Sequence, residues 1–196
     1  MNPDRLDAAR TCLLLFDFLV GHAEKDAAIR ERYVPVLANA AKLLAAARAS
    51  GAMVAYACAD HRADRATHAP IITDSENRPP LITGGTPEAE IVPELAPRPG
   101  EYVVPKHRWS AFHGTYLDHA LRTRGADTVV LSGGTTEIGV ASTAYAARDL
   151  GYNLVIASDA CTSPKHEVHL QFMHEVLPRL ARVRTTAQVV EMLQRA

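Results

Sequence analysis

The chain lacks any run near the roughly 18 to 20 consecutive apolar residues that carry a helix across a bilayer, so a membrane-spanning helix is not expected. Cysteine is scarce: Cys12, Cys58 and Cys161 are isolated and far apart. That spacing fits reduced, buried thiols better than a disulfide framework or a zinc knuckle. Neither sign of charge is in excess, with 21 Lys and Arg against 22 Asp and Glu. This balance gives no support to nucleic acid or an anionic membrane as partner. The start, Met1 to Leu6, has no signal-peptide layout, and a cytoplasmic location is the expectation. No G-x-S-x-G elbow occurs, which disfavours a Ser-His-Asp hydrolase.

What is present is a length of 196 residues with 47% hydrophobic content, enough for one domain over 1–196 with a full core. Strand and helix alternate along it. Thr11 to Phe16 reads as a buried strand, Val36 to Arg48 as a helix ended by Ser50-Gly51, Ala52 to Cys58 as a second strand, and Tyr102 to Val104 as a third stopped by Pro105. Ala59 to Gly100 holds seven prolines, which predicts a long loop region with one helical turn near Pro87 to Ile91. Then follow a helix from Thr115 to Arg124, a strand from Thr128 to Leu131, a helix from Ile138 to Leu150 and a strand from Asn153 to Ala157. Ser163-Pro164 reads as an N-cap opening a helix toward Leu180, with a short strand from Ala181 to Arg184 and a last helix from Thr186.

This alternation predicts a three-layer αβα sandwich around a mainly parallel, Rossmann-like sheet. Ligands of such sheets bind beyond the carboxyl ends of the strands, where strand order reverses. Asp17, Asp60 with His61, Lys106, and the turn Gly133-Gly134 are the groups that follow the first four predicted strands; Asp159, after the fifth, reads as a cap or turn residue. The turn opens a helix whose first amides have no partner inside it, and such amides favour an anion. Gly134, Thr135, Thr136 and Ile138 are therefore candidates for an anion-binding turn.

Three segments carry a resemblance. Leu14-Leu15-Phe16-Asp17-Phe18, the stretch Lys106-His107-Arg108-Trp109-Ser110-Ala111-Phe112 read as K-x-R-x-S-A-F, and Ser132 to Thr143 with its glycine turn stand in one order. Together they resemble the isochorismatase-like hydrolases of the cysteine hydrolase superfamily, over roughly the whole chain and least from Ala59 to Gly100. The resemblance implies Asp17 and Lys106 as catalytic residues, a cis peptide between Gly134 and Thr135, and no cofactor. It also implies a small-molecule substrate and a homodimer or homotetramer. Most members attack an amide carbonyl with a cysteine, and that position aligns with Gly139.

From Gly139 follows the expectation of a hydrolase that works without cysteine. The isochorismatases proper share the glycine and cleave a vinyl ether, so Asp17 would be the general acid, water the nucleophile, and Lys106 the partner of substrate carboxylates. Amide hydrolysis by Asp17-activated water and a catalytically silent binder are the alternatives. The chain departs from those enzymes at Ala59, Thr135 and Glu137, and Glu137 argues against isochorismate itself. Phe18, Arg65, Arg108, Trp109 and Glu137 are candidate substrate contacts, with Arg62 a further source of positive charge. No metal is expected. Asp60, His61, Asp64 and His68 fall where the nicotinamidases of this family bind one, but the D-x-H spacing is absent.

Overall fold

The computed structural model describes residues 5–69, 72–74 and 81–194. Six strands, β1 (Thr11–Phe16), β2 (Met53–Ala59), β3 (Tyr102–Lys106), β4 (Thr128–Gly134), β5 (Asn153–Thr162) and β6 (Arg182–Arg184), form one sheet. The order is β3-β2-β1-β4-β5-β6 and every pairing is parallel. The helices are α1 (Val20–Ala23), α2 (Ala27–Ser50), α3 (Leu117–Thr123), α4 (Ala141–Asp149), α5 (His166–Gln171) and α6 (Thr186–Gln194).

Side chains of a strand alternate between faces, so β1 feeds two cores. Leu13 and Leu15 pack with Leu43 and Leu44 of α2 and Val189 of α6, while Leu14 and Phe16 pack with Leu121 of α3 and Ala144 of α4. Burial on both faces is why these strands read as continuous apolar runs rather than alternating ones. The expected αβα sandwich with its parallel sheet is the fold observed. No helix among the described residues is long and apolar enough to cross a membrane.

Several element bounds differ from expectation, each for a local reason. Helix α2 starts well before Val36 because Asp26 caps it, accepting the Ile29 N–H at 2.9 Å, and it continues through Pro35. An interior proline costs about 3 kcal/mol; here the buried stripe containing Tyr33, Val36 and Ala40 spans the break. Pro105 does not end β3, which pairs only with β2, and an edge strand tolerates a residue with no N–H to donate. β4 runs through its glycines because Gly133 and Gly134 stay paired with Cys161 and Thr162, after a register shift. The same pairing extends β5 to Thr162 and places Asp159 inside it, where its Oδ1 caps α6 by accepting the N–H and hydroxyl of Thr186, both at 2.7 Å. The helix expected from Ser163 to Leu180 is broken into α5, a π-helical turn (Phe172–Val176) and a 3-10 turn (Leu177–Arg179).

The long segment after β2 has 3-10 turns at Pro87–Ala89 and Pro93–Leu95. It is tied down by bridges of Leu19 with Ile91 and of His61 with Thr83. Its expected loop character also covers residues 70–71 and 75–80, which lie outside the described residues.

Candidate active site

The chain leaves β1 toward β2 and β3 on one side, then crosses to β4 on the other. Strand order therefore reverses between β1 and β4, the place beyond whose carboxyl ends sheets of this kind bind their ligands. Asp17, the first residue past β1, stands there with φ of 52°, a left-handed conformation that aspartate tolerates better than most residues. Its N–H donates to Ala57 O at 2.9 Å, and its Oδ1 accepts the Ala59 N–H at 2.8 Å.

Lys106, the last residue of β3, reaches across β2 and donates from Nζ to Asp17 Oδ2 at 2.7 Å. Both side chains are almost entirely buried, 5% and 9% exposed. Lys106 Nζ also lies 4.3 Å from the centre of the Phe16 ring, a cation–π contact. A buried ion pair persists only with such added contacts, since desolvation otherwise offsets the Coulomb gain. The two residues expected to be catalytic are thus brought together although 89 positions apart.

The turn after β4 forms the second wall. The Gly134–Thr135 peptide is cis. Gly133 has φ of 139°, and a Cβ there would sit 2.1 Å from Phe16 O, so only glycine fits. Gly139, in the π-helical turn Thr136–Val140, has Phe16 against it: an added Cβ would meet Cε1 at 2.2 Å. The Ile138 N–H donates to Thr135 O at 3.2 Å, which removes it from the expected set of anion-binding amides. Among the described residues no acceptor takes the N–H of Thr135, Thr136 or Glu137.

The remaining candidates fall in different places. Phe18 is buried in the α2-side core, and its carbonyl accepts the Val92 N–H at 3.0 Å, so it supports the site from beneath. Arg62 is spent on Asp64. Arg65 is exposed. Arg108 donates to Thr67 O and His107 O, both at 2.8 Å, pinning the loop after β2 to the exit of β3. Trp109 is exposed beside it. Glu137 accepts the Ser163 hydroxyl at 3.0 Å through Oε1, while Oε2 is buried with no partner among the described residues.

His61 gathers His107 and His68 at ring-centre distances of 5.8 and 6.0 Å. Burial, then the neighbouring His107, His68, Lys106 and Arg108, hold the His61 pKa below its ordinary value. The Asp60 carboxylate packs over Gly84, where a Cβ would not fit. Among the described residues no set of three or more His, Cys, Asp or Glu side chains is arranged to hold a metal.

Two residues at the site are not among the candidates that the sequence motifs supply. His169 of α5 has Nδ1 2.9 Å from Thr136 Oγ1, whose single proton donates to Thr162 O at 3.0 Å. The histidine must therefore be the donor in that contact, which fixes the Nδ1–H tautomer when the ring is neutral. Burial, then His166 and His174, hold its pKa below the ordinary value. Tyr33 of α2 is the second: its Oη lies 2.8 Å from where a Cβ on Gly134 would stand. An i, i+3 or i, i+4 pattern places Tyr33 on the apolar face but cannot say what its hydroxyl meets.

A family model described as the isochorismatase domain matches residues 11–188. The isochorismatase family protein YwoC of Bacillus subtilis is 34% identical over 200 residues, 99% of this chain and 100% of its own length. Ureidoacrylate amidohydrolase RutB of Methylorubrum extorquens is 30% identical over 179 residues, 81% of this chain and 72% of its own. A solved isochorismatase family protein from Burkholderia thailandensis superposes with a TM-score of 0.85 at 32% identity, covering 97% of this chain and 98% of that one.

A variant with glycine in place of the thiol, working independently of cysteine on a vinyl ether, does not stand. Cys12 is a wholly buried thiol on β1, the strand that Asp17 follows. Its pKa is pushed up by burial. Cys58 and Cys161 are buried near the carboxyl ends of β2 and β5, each pushed up to about 12, first by burial. Gly139 is a single aligned position, which cannot say which thiols the fold brings into the domain.

Proposed function

From the premise that the chain belongs to the isochorismatase family, we propose that it is a hydrolase of a small carbonyl compound with a carboxylate, and that the bond cleaved is the C–N bond of an N-carbamoyl (ureido) group. The observation that carries this is the buried Asp17–Lys106 pair, 2.7 Å apart, at the point where strand order reverses. A carboxylate held there can take the proton of the group that attacks the carbonyl and return it to the leaving nitrogen. Lys106 fixes its position and balances its charge. The unpaired amides of Thr135, Thr136 and Glu137 supply donors for the oxyanion that forms on the carbonyl oxygen.

The substrate class follows from two further features. RutB, similar over most of this chain, is by name an amidohydrolase of ureidoacrylate, a ureido group joined to a carboxylic acid. The loop after β2 and the exit of β3 bring the Arg108 guanidinium beside His107 and the neutral His61 ring, one cation and two imidazoles that can bind such a carboxylate. Hydrolysis adds water across the C–N bond and releases an amine and carbamate, which decomposes to ammonia and carbon dioxide.

The test is ammonia release from paired substrates: N-carbamoyl amino acids, the matching N-carbamoyl amines without the carboxylate, and enolpyruvyl ethers. Turnover of the first with a clear preference over the second supports the reading. Turnover confined to the ethers, read as pyruvate, refutes it.

A further inference from the structure

We infer that Tyr33 is a third donor at this site, its hydroxyl hydrogen-bonding the scissile carbonyl oxygen next to the amides that follow Gly134. The assignment rests on the C–N hydrolase reading above and adds a residue from a different layer of the fold. Tyr33 lies two turns into α2, on the opposite face of the sheet from the π-helical turn, and is 6% exposed. Its ring packs in the α2-side core, which fixes its direction. Its Oη reaches the end of β4, 2.8 Å from the position of a Cβ on Gly134, with Thr162 beside it. Any side chain at residue 134 would occupy the space into which the hydroxyl projects.

A buried tyrosine hydroxyl ordinarily finds a partner. This one has no hydrogen-bond partner among the described residues, and its oxygen keeps contact with solvent. The preceding residue repeats the pattern: Arg32 Nε is buried without an acceptor, and its guanidinium carbon lies 5.8 Å from the Tyr33 ring centre. Among the described residues two adjacent side chains on one helix thus carry donors without a protein acceptor, Arg32 Nε buried and Tyr33 Oη open to solvent. The approach to Gly134 and Thr162, the last residues of β4 and β5, places the hydroxyl over the strand ends rather than in the apolar interior. Burial foremost, opposed by Arg32 and reinforced by Asp17 and Cys161, pushes its pKa up to about 12, so it remains a neutral O–H donor at any working pH. A donor aimed at the carbonyl oxygen gains strength as negative charge develops there, so its effect falls on the chemical step more than on binding.

The experiment is Tyr33→Phe with an N-carbamoyl amino acid, reading kcat, KM and the melting temperature. The phenyl ring keeps the core contacts, so the melting temperature stays within a few degrees. The expected result is a fall in kcat of about a hundredfold, as for loss of one oxyanion donor, with KM little changed. Gly134→Ala, whose methyl displaces the hydroxyl, should lower kcat likewise and combine with Tyr33→Phe less than additively. An unchanged kcat in Tyr33→Phe overturns the assignment and leaves the hydrolase reading intact. A change in KM alone overturns it too, because it puts the hydroxyl on an unreactive part of the substrate. Absence of turnover in the unmodified protein refutes the hydrolase reading, and the assignment falls with it.

Discussion

Replacing Lys106 by methionine removes one charge from the centre of the site and leaves most of the packing in place. Methionine keeps an unbranched apolar stem against the Phe16 ring, where the ammonium now sits 4.3 Å from the ring centre. What is lost is the 2.7 Å contact with Asp17 Oδ2. Asp17 then retains one described hydrogen bond to its carboxylate, from the Ala59 N–H at 2.8 Å. Its side chain is only 9% exposed, so water cannot readily replace the missing cation. Breaking one partner out of a buried ion pair costs about 3–5 kcal/mol. Urea unfolding at neutral pH should therefore place Lys106→Met that far below the unmodified protein, with an unchanged m-value. The double variant Asp17→Asn/Lys106→Met removes both charges and should recover part of the loss, giving a coupling energy of about 0.5–3 kcal/mol. A single variant within about 1 kcal/mol of the unmodified protein, or strictly additive losses, would refute a desolvated, mutually dependent pair.

Other substitutions probe the surrounding frame. Gly139→Ala puts a methyl 2.2 Å from Phe16 Cε1, and overpacking of this kind costs about 1–3 kcal/mol. Phe16→Leu should relieve it in the double variant, whereas Gly133→Ala, opposed by the backbone oxygen of Phe16, has no such rescue; chemical denaturation of the set checks both statements. His169 and His61 have folded-state pKa values below their ordinary ones, so the unfolded chain binds more protons and stability is lost as pH falls through about 6.5. His169→Gln should flatten that slope in unfolding midpoints taken from about pH 8 down to 5, and an equally steep slope would count against the buried neutral ring. Cys12→Ser buries a hydroxyl where the thiol is 0% exposed and should cost about 1–3 kcal/mol, with Cys12 in the parent protein labelled by a thiol reagent only at the rate of global opening.

The fold was legible because its signals are local and repeated. Thr11 to Phe16 and Thr128 to Leu131 are apolar runs of strand length, the second rich in β-branched residues, and the helices between them carry apolar faces at helical spacing. Asp17 and Lys106 were legible as well, since both end a strand and the sheet rule points to strand ends. The misjudged bounds share one cause. Pro35, Pro105 and the glycines of β4 each oppose regular structure locally, and each was overridden by a tertiary partner that periodicity does not contain: the α2-side core, an edge position, and the neighbour β5.

The parts of the site that escaped sequence reading lie on elements distant in the chain. Tyr33 sits mid-helix and His169 near the start of a late one, and in both the informative fact is what the polar atom meets. Arg62 and Arg65 looked alike as sources of positive charge, yet Arg62 is tied to Asp64 and Arg65 is exposed. The three cysteines were read from spacing as buried thiols, and all three are buried. Gly139 is one position, and it does not decide whether the chemistry depends on cysteine.

The most direct measurement is steady-state ammonia release from an N-carbamoyl amino acid by the unmodified protein and by Asp17→Asn, both checked for folding by circular dichroism. A residue that moves the proton in the transition state contributes about 10²–10⁴ in rate, so the folded variant should fall by at least two orders of magnitude. Equal rates in the two proteins would contradict the placement of the chemistry at Asp17, and with it the account of the site.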